Sequence, residues 1–180
     1  MKYQLKNSRT GEAIPEFETT VEVVKTKTHL TFDFYCKNSQ LYSADNKYNA
    51  SIFTGDVCEA FICTGEDVMK YYEIEVAPNN CQFLYKIHNH GGLNNNITAT
   101  PVPEEENFLV SSVEIIGNDY RVKFSVPLDK IGYDEKIGVR YNAYRIETEG
   151  GITDKNLLAI NPTMCDKFHV PAKFIKLIEE

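Results

Sequence analysis

The stretch YYEIEVAPNNCQFLYKIH, residues 71–88, decides the fold class of this chain. In its first half apolar and acidic side chains alternate, which places Glu73 and Glu75 on the face opposite Ile74, as on a β-strand. Pro78 and two asparagines follow; proline presets the first corner of a turn, and asparagine tolerates the left-handed backbone region. A second alternating run begins at Phe83. The stretch therefore predicts a β-hairpin.

Alternation with period two recurs on both sides of this hairpin. A second hairpin is predicted at 113–126, because strand-like runs flank the turn residues Gly-Asn-Asp. Helix is limited to short turns at 127–131 and 154–159, the second capped by Thr153. Further strands are predicted at 30–36, 57–63, 136–146 and 174–178, with a weaker one at 41–44.

Many short strands separated by turn signals indicate two packed sheets. We therefore expect an all-β chain, an antiparallel β-sandwich or jelly roll with one or two short helical turns. Residues 89–107 contain Gly, Asn, Pro and Glu with little to bury, so we expect a long mobile loop there. Neither flanking half has enough strands to close a sandwich, so residues 1–180 are expected to form a single domain.

The charge balance argues against several classes of partner. The chain of 180 residues has 19 Lys and Arg against 26 Asp and Glu, a net charge of −7, and no basic run. An acidic chain of this kind is a poor candidate for binding nucleic acid or an anionic membrane surface. The sequence has no apolar stretch of roughly 20 residues and no signal-peptide pattern. We therefore expect a cytoplasmic protein.

The usual catalytic motifs are missing from the sequence. There is no GxSxG, P-loop, GxGxxG or HExxH pattern. The five cysteines lack CxxC or zinc-ligand spacing, so we expect reduced, packed thiols. Glu73 and Glu75 point the same way from one strand and cannot flank a glycosidic bond, so that face is expected to be hydrated or to contact a sugar. His88 and His90 are expected to face solvent, although such a pair also occurs among metal ligands.

The segment KYNASIFTGDVCEAFI, residues 47–62, contains the pattern aromatic-x-Gly-Asp-x-x-Glu-x-Phe between Phe53 and Phe61. It resembles the signature of carbohydrate-binding module family 9-like domains, a β-sandwich family related to the DOMON domains. The resemblance extends over nearly the whole chain. Further matching segments follow in order at 71–80, 124–128, 138–145, 158–163 and 168–174.

In sugar-binding members of that family, two tryptophans hold a terminal sugar while polar side chains contact its hydroxyls. The resemblance places Phe53 at the first tryptophan and makes Glu59 the hydroxyl-binding carboxylate; the second tryptophan would fall where this chain has Met164 and Phe168. It implies a non-catalytic domain that recognises a mono- or oligosaccharide end. The expected binding residues are Phe53, Asp56, Glu59, Tyr71, Glu73, Asn142 and Arg145.

Four of these residues are also open to structural interpretations. Asp56 fits a turn that enters a strand, where its carboxylate accepts backbone N–H groups. Glu59, if it faces inward, needs a donor such as Arg145, and a structural ion pair is as consistent with the sequence as a sugar contact. Asn142 and Arg145 lie three residues apart on one strand, so without a bulge they face opposite sides.

Two other functions remain open at this point. The absence of tryptophan favours an interaction or scaffold protein that has kept the sandwich and lost sugar binding. The DOMON relationship allows a haem domain, for which the axial ligands would come from Met69, Met164, His88 and His169. No cofactor is expected otherwise, except structural calcium bound by acidic loops, which lack EF-hand spacing. The expected partner is a small saccharide, with a protein partner also open.

Overall fold

The computed structural model describes residues 1–37, 40–93, 96–151 and 155–178, and within them the chain forms two antiparallel sheets. Within these ranges four single-turn 3-10 helices lie between strands, at Pro15–Phe17, Ile52–Thr54, Glu104–Glu106 and Pro171–Lys173. The strands, in chain order, are β1 (Lys2–Gln4), β2 (Lys6–Asn7), β3 (Thr19–Lys25), β4 (His29–Lys37), β5 (Val57–Cys63), β6 (Lys70–Val76), β7 (Gln82–Asn89), β8 (Ile97–Pro101), β9 (Val110–Ile116), β10 (Asp119–Pro127), β11 (Arg140–Glu147), β12 (Asn156–Ala159) and β13 (Ile175–Lys176).

The two sheets differ in size. The smaller has the order β1-β3-β4-β10-β9, and the larger has the order β2-β12-β11-β5-β6-β7-β8, with β13 also paired to β11. Their facing sides form the main core, where Phe32 stacks on Phe124 at 5.3 Å between ring centroids and meets Tyr141 edge-on at 5.6 Å. Alternation along each strand supplies this core, because every second side chain points inward.

The outer face of the larger sheet is apolar as well. A second buried cluster lies there and includes Phe61, Tyr71, Phe83 and Tyr144. Strand β5 is therefore buried on both of its faces, along all seven of its residues. Loops that cross this face cover its apolar side chains, and the candidate site lies among them.

The all-β sandwich predicted from the sequence is confirmed, and both hairpins form where the alternation predicted them. Three local predictions were wrong. Residues 41–44 are irregular, and 127–131 end a strand and turn without forming a helix. The helix expected at 154–159 is the strand β12, whose backbone pairs with β2 and β11, so sheet pairing overrides the local helical pattern. Thr153 and Asp154 lie outside the described residues.

The segment 89–107 carries more structure than a loop. It contains strand β8, which pairs with β7 through five residues, and a 3-10 turn at Glu104–Glu106. Val102 between them is only 3% exposed, and its carbonyl accepts hydrogen bonds from Tyr48 and Asn49. The few apolar residues of this segment are thus sufficient to anchor it to the sheet. None of the helices in the described ranges has the length and apolarity needed to span a membrane.

Arg145 on β11 ties the two sheets together. Its side chain is fully buried between them and forms an ion pair with Glu147. The other end of the guanidinium donates to Thr19 Oγ1 at 2.8 Å and to the Lys37 carbonyl at 2.9 Å, both on the smaller sheet. It also lies over the Tyr120 ring at 5.2 Å. A buried charge with several partners of this kind is structural.

Replacing Arg145 by Met should destabilise the fold strongly, because the Glu147 carboxylate would stay buried without its guanidinium. Loss of one partner of a buried pair costs about 3–5 kcal/mol. The matched control is Arg121→Met, which breaks the Arg121–Asp33 pair on the surface and should change the stability far less, because water screens an exposed pair. Urea unfolding followed by circular dichroism measures both. Equal losses in the two variants would contradict the structural role of Arg145.

Candidate functional site

A cavity of about 600 Å³ opens on the outer face of the larger sheet. Strands β5, β6, β7, β11 and β12 form its floor, and the turn at 52–54 and the segment 166–169 form its walls. Its volume is within the range of small-molecule sites, about 300–1,000 Å³. The lining residues are Arg9, Phe53, Glu59, Phe61, Glu73, Glu75, Phe83, Ala99, Ile146, Lys155, Leu157, Asp166, Lys167, Phe168 and His169.

Three carboxylates lie together on the cavity floor, and we call Glu59, Glu73 and Glu75 the acidic triad. Strands β5 and β6 are antiparallel neighbours in a register that sets Glu59 directly opposite Glu75. Glu73 lies two residues before Glu75 and so shares its face. One oxygen from each carboxylate lies within 4.8 Å of the other two. The pairing of the strands therefore brings together groups that the sequence separates by more than a dozen residues.

Burial and mutual repulsion raise the pKa values of two triad members. The pKa of Glu59 is well above its ordinary value because the side chain is desolvated and Glu73 lies close by. The same two causes, burial first and then the charges of Glu59 and Glu73, raise the pKa of Glu75. Lys155 opposes both shifts, while burial lowers its own pKa. Oε1 of Glu59 and Oε2 of Glu75 are buried without a hydrogen-bond partner.

A chain of polar contacts positions the third carboxylate. Nε2 of His169 lies 3.4 Å from Oε1 of Glu73, and Nδ1 of the same ring is 2.8 Å from the Tyr71 hydroxyl. The Asn89 side chain donates to the His169 carbonyl at 3.1 Å. The imidazole also packs on Phe61 at 4.7 Å between ring centroids. His169 is thus packed and hydrogen-bonded, and it orients Glu73 toward the cavity.

Aromatic rings form the cavity walls. Phe53 is 38% exposed and meets Phe83 edge-on at 5.9 Å. Phe168, only 8% exposed, stacks on Tyr144 at 4.2 Å. Lys155 fixes the Phe53 turn, since its ammonium donates to the Phe53 carbonyl at 2.5 Å. An exposed ring at the rim and carboxylates on the floor give the cavity one apolar and one polar side.

The structure brings together three of the seven residues expected to bind a ligand: Phe53, Glu59 and Glu73 line the cavity. A fourth, Tyr71, supports it from behind through His169. Glu59 does not pair with Arg145, which bonds Glu147 on the other side of the sheet. Phe168 stands at the cavity, whereas Met164 is 57% exposed outside its lining.

Three expected site residues are structural. Asp56 is fully buried and accepts hydrogen bonds from the Tyr42 backbone and from both the backbone and hydroxyl of Thr148, so it joins two loops. Asn142 is also fully buried; its amide nitrogen donates to the Asn161 carbonyl, and its amide oxygen accepts from the Asn161 backbone N–H. Arg145 lies between the sheets. Each has its hydrogen-bonding capacity directed at the protein, away from the cavity.

The sequence analysis missed two important groups. Glu75 was recognised as a neighbour of Glu73 but not assigned to the site, although the two-residue spacing already placed both on one face. Lys155 lies within the segment 154–159 that was predicted to be helical, and it carries no sequence signal. It reaches the cavity because β12 pairs with β11 next to β5.

No protein-family model and no curated protein matches the chain. Solved structures do match it. A candidate carbohydrate-binding protein from Bacteroides uniformis ATCC 8492 has a TM-score of 0.73 at 14% identity over 97% of this chain and 84% of its own. A carbohydrate-binding module family 9 domain from Caldicellulosiruptor kristjanssonii in complex with glucose has a TM-score of 0.66 at 14% identity, over 99% of this chain and 85% of its own.

This chain has the fold of a family 9 carbohydrate-binding module. A further family 9 structure from Caldicellulosiruptor kristjanssonii, in complex with cellotriose, agrees with a TM-score of 0.62 at 12% identity, over 90% of this chain and 74% of its own. The fold resemblance inferred from the sequence signature is thereby confirmed. At 12–14% identity these structures share their fold with this chain, and a shared fold does not by itself establish a shared ligand.

Replacing Glu75 by Gln should raise the stability of the protein, and the gain should grow with pH. The folded protein holds a proton at this carboxyl that the unfolded chain releases above its ordinary pKa of 4.5, so the stability it contributes is lost as pH rises. The groups facing it are Glu59, Glu73 and Lys155. Gln cannot ionise, so the variant does not lose this stability as pH rises. We expect the melting temperature to rise by roughly 2–4 °C at pH 8, corresponding to about 1 kcal/mol.

Thermal melts from pH 4.5 to pH 8 in chelator-containing buffer measure this difference. The gain should vanish at the acid end, where the wild-type carboxyl is protonated. Glu114→Gln, on the exposed face of the smaller sheet, is the control and should show no such trend. A melting-temperature difference for Glu75→Gln that is constant across this pH range would contradict the prediction.

Proposed function

We propose that this protein binds the end of a saccharide in the cavity between Phe53 and the acidic triad, without transforming it. A pyranose ring has apolar C–H faces and an equatorial rim of hydroxyls. The exposed Phe53 ring offers an apolar surface for such a face, and the carboxylates of Glu59 and Glu75 offer hydroxyl acceptors. The juxtaposition of this ring with unpartnered buried oxygens is the observation that carries the proposal.

Unpartnered buried oxygens support ligand binding on energetic grounds. A buried polar atom without a hydrogen bond costs about 1–3 kcal/mol. Glu59 and Glu75 each keep one such atom at the floor of an open cavity. Sugar hydroxyls that donate to these oxygens would offset this cost, so the complex has hydrogen bonds that the free protein lacks. Sites that are locally unfavourable for folding are commonly functional.

A binding role without catalysis fits the placement of the carboxylates. Glycoside hydrolysis uses two carboxyl groups on opposite sides of the bond, about 5–9.5 Å apart. The triad carboxylates project from one sheet face and approach one another within 4.8 Å. They therefore contact a ligand from a single side. The neighbours named for carbohydrate binding have the same fold, which supports the proposed role.

Phe53→Ala should weaken saccharide binding at least tenfold, equivalent to about 1.4 kcal/mol, because the stacking surface is lost. Glucose, cellobiose and cellotriose, followed by a broader glycan array, are the ligands to test by calorimetry. Because Phe53 is 38% exposed, its removal should leave the thermal melt nearly unchanged. Phe53→Tyr, which keeps the ring, should retain binding.

Tyr35→Ala is the matched control, since Tyr35 is an aromatic residue of similar exposure, 40%, on the smaller sheet. It should leave saccharide binding unchanged. If no saccharide binds the wild-type protein, or if both alanine variants bind equally well, the proposal fails. The first outcome would favour the scaffold function, in which the sandwich has lost its sugar site, and the second would place saccharide binding away from Phe53.

A further inference from the structure

The acidic triad gathers three carboxyl groups in a small volume. One oxygen from each of Glu59, Glu73 and Glu75 lies within 4.8 Å of the other two, and Lys155 and Lys167 line the same cavity. Arg9 lines the cavity too, but its guanidinium already pairs with Asp166. Clustered buried carboxylates are costly unless a cation accompanies them. A divalent cation bound among the three carboxylates would supply the positive charge that this cluster needs.

The geometry of the triad suits a single ion. Calcium binds oxygen at about 2.3–2.6 Å, so two of its ligands lie at most about 4.6–5.2 Å apart. The oxygens offered by Glu59, Glu73 and Glu75 are all within 4.8 Å of one another, so each pair of them falls within this range. The donors are all hard carboxylate oxygens, the type that calcium prefers.

The unpartnered oxygens supply an independent observation. Glu59 is 2% exposed and Glu75 is 1% exposed, and both line the cavity. Each keeps one oxygen, Oε1 and Oε2 respectively, without any hydrogen-bond donor. Desolvated carboxylate oxygens of this kind lack the protein partner that buried polar groups normally have, so they point to a ligand that the chain itself does not provide.

We propose that Glu59, Glu73 and Glu75 bind one calcium ion at the cavity floor and that saccharide hydroxyls complete its coordination. The second part rests on the proposed function. Calcium takes six to eight oxygen ligands, and three carboxylates leave positions open toward the cavity. Two adjacent hydroxyls of a sugar can replace water there, while Phe53 contacts the ring. No bond is made or broken and no electron is transferred, so the ion acts by binding alone.

Terbium luminescence tests the ion site. The full chain is treated with chelator, exchanged into metal-free buffer at pH 8 and titrated with terbium chloride, which reports binding through energy transfer from nearby tyrosines. Tyr144 lies opposite Glu59 and Tyr85 lies opposite Glu73, so sensitisation is expected. Calcium chloride should displace terbium. Glu75→Gln and Glu59→Gln should each lower the affinity for terbium at least tenfold. The variant Glu114→Gln, which lies far from the cavity, should bind terbium like the wild-type protein.

Saccharide calorimetry with calcium or with chelator separates the two proposals. A gain of at least tenfold in saccharide affinity with calcium supports both. Ion binding without any saccharide binding keeps the ion site and removes the proposed function. Saccharide binding that is equal in calcium and chelator, together with terbium luminescence unchanged in Glu75→Gln, overturns the ion site and leaves the proposed function standing. Tight binding of glucosamine in chelator, with no effect of calcium, would show that the ammonium group of an amino sugar fills the triad. That result would also overturn the ion site.

Discussion

Burial of strand β5 on both faces is the constraint on which the rest of the structure depends. Its inner side chains, Cys58, Ala60 and Ile62, are fully buried against the smaller sheet. Its outer side chains lie beneath the loops that enclose the cavity. A central strand with no solvent-facing side has no exposed position for a polar residue. Glu59 is therefore held in the interior, and its ligands must come from the chain or from the cavity.

Two buried charged groups, Glu59 on β5 and Arg145 on the neighbouring β11, are satisfied in different ways. Arg145, across the ladder from Cys58, is surrounded by acceptors from both sheets and holds them together. Glu59 on the opposite face lies among other carboxylates, and Lys155 is the cation that acts on it. The first arrangement contributes to folding, since a buried charge with an ion-pair partner and several hydrogen-bond acceptors is stabilised in the interior. The second arrangement works against folding, and we infer that a ligand bound in the cavity compensates for its cost.

Individual elements show how much of the fold and of the candidate site the sequence predicts. The alternation in residues 71–88 predicts the hairpin correctly, because period two survives any packing of the sheet. The same alternation placed Glu73 and Glu75 on one face. It failed at Asn156–Ala159, where four residues carry too little pattern to outweigh a local helical signal. The family resemblance, and not the alternation, suggested Asp56, Asn142 and Arg145 as binding residues, and the structure shows their side chains bonded to other parts of the chain. A polar residue in a strand reveals neither its partner nor which sheet face is closed by loops.

The sequence by itself determined the class of fold, the hairpins, the family 9-like signature and the shared face of the Glu73 and Glu75 side chains. These properties depend on local periodicity and turn chemistry, which the chain carries in order. Only the tertiary structure decided that Glu59 stands opposite Glu75, that Lys155 reaches the same cavity, and that Arg145 does not. Those facts follow from the register between strands far apart in the chain and from loops folded over one face, and no local pattern encodes either.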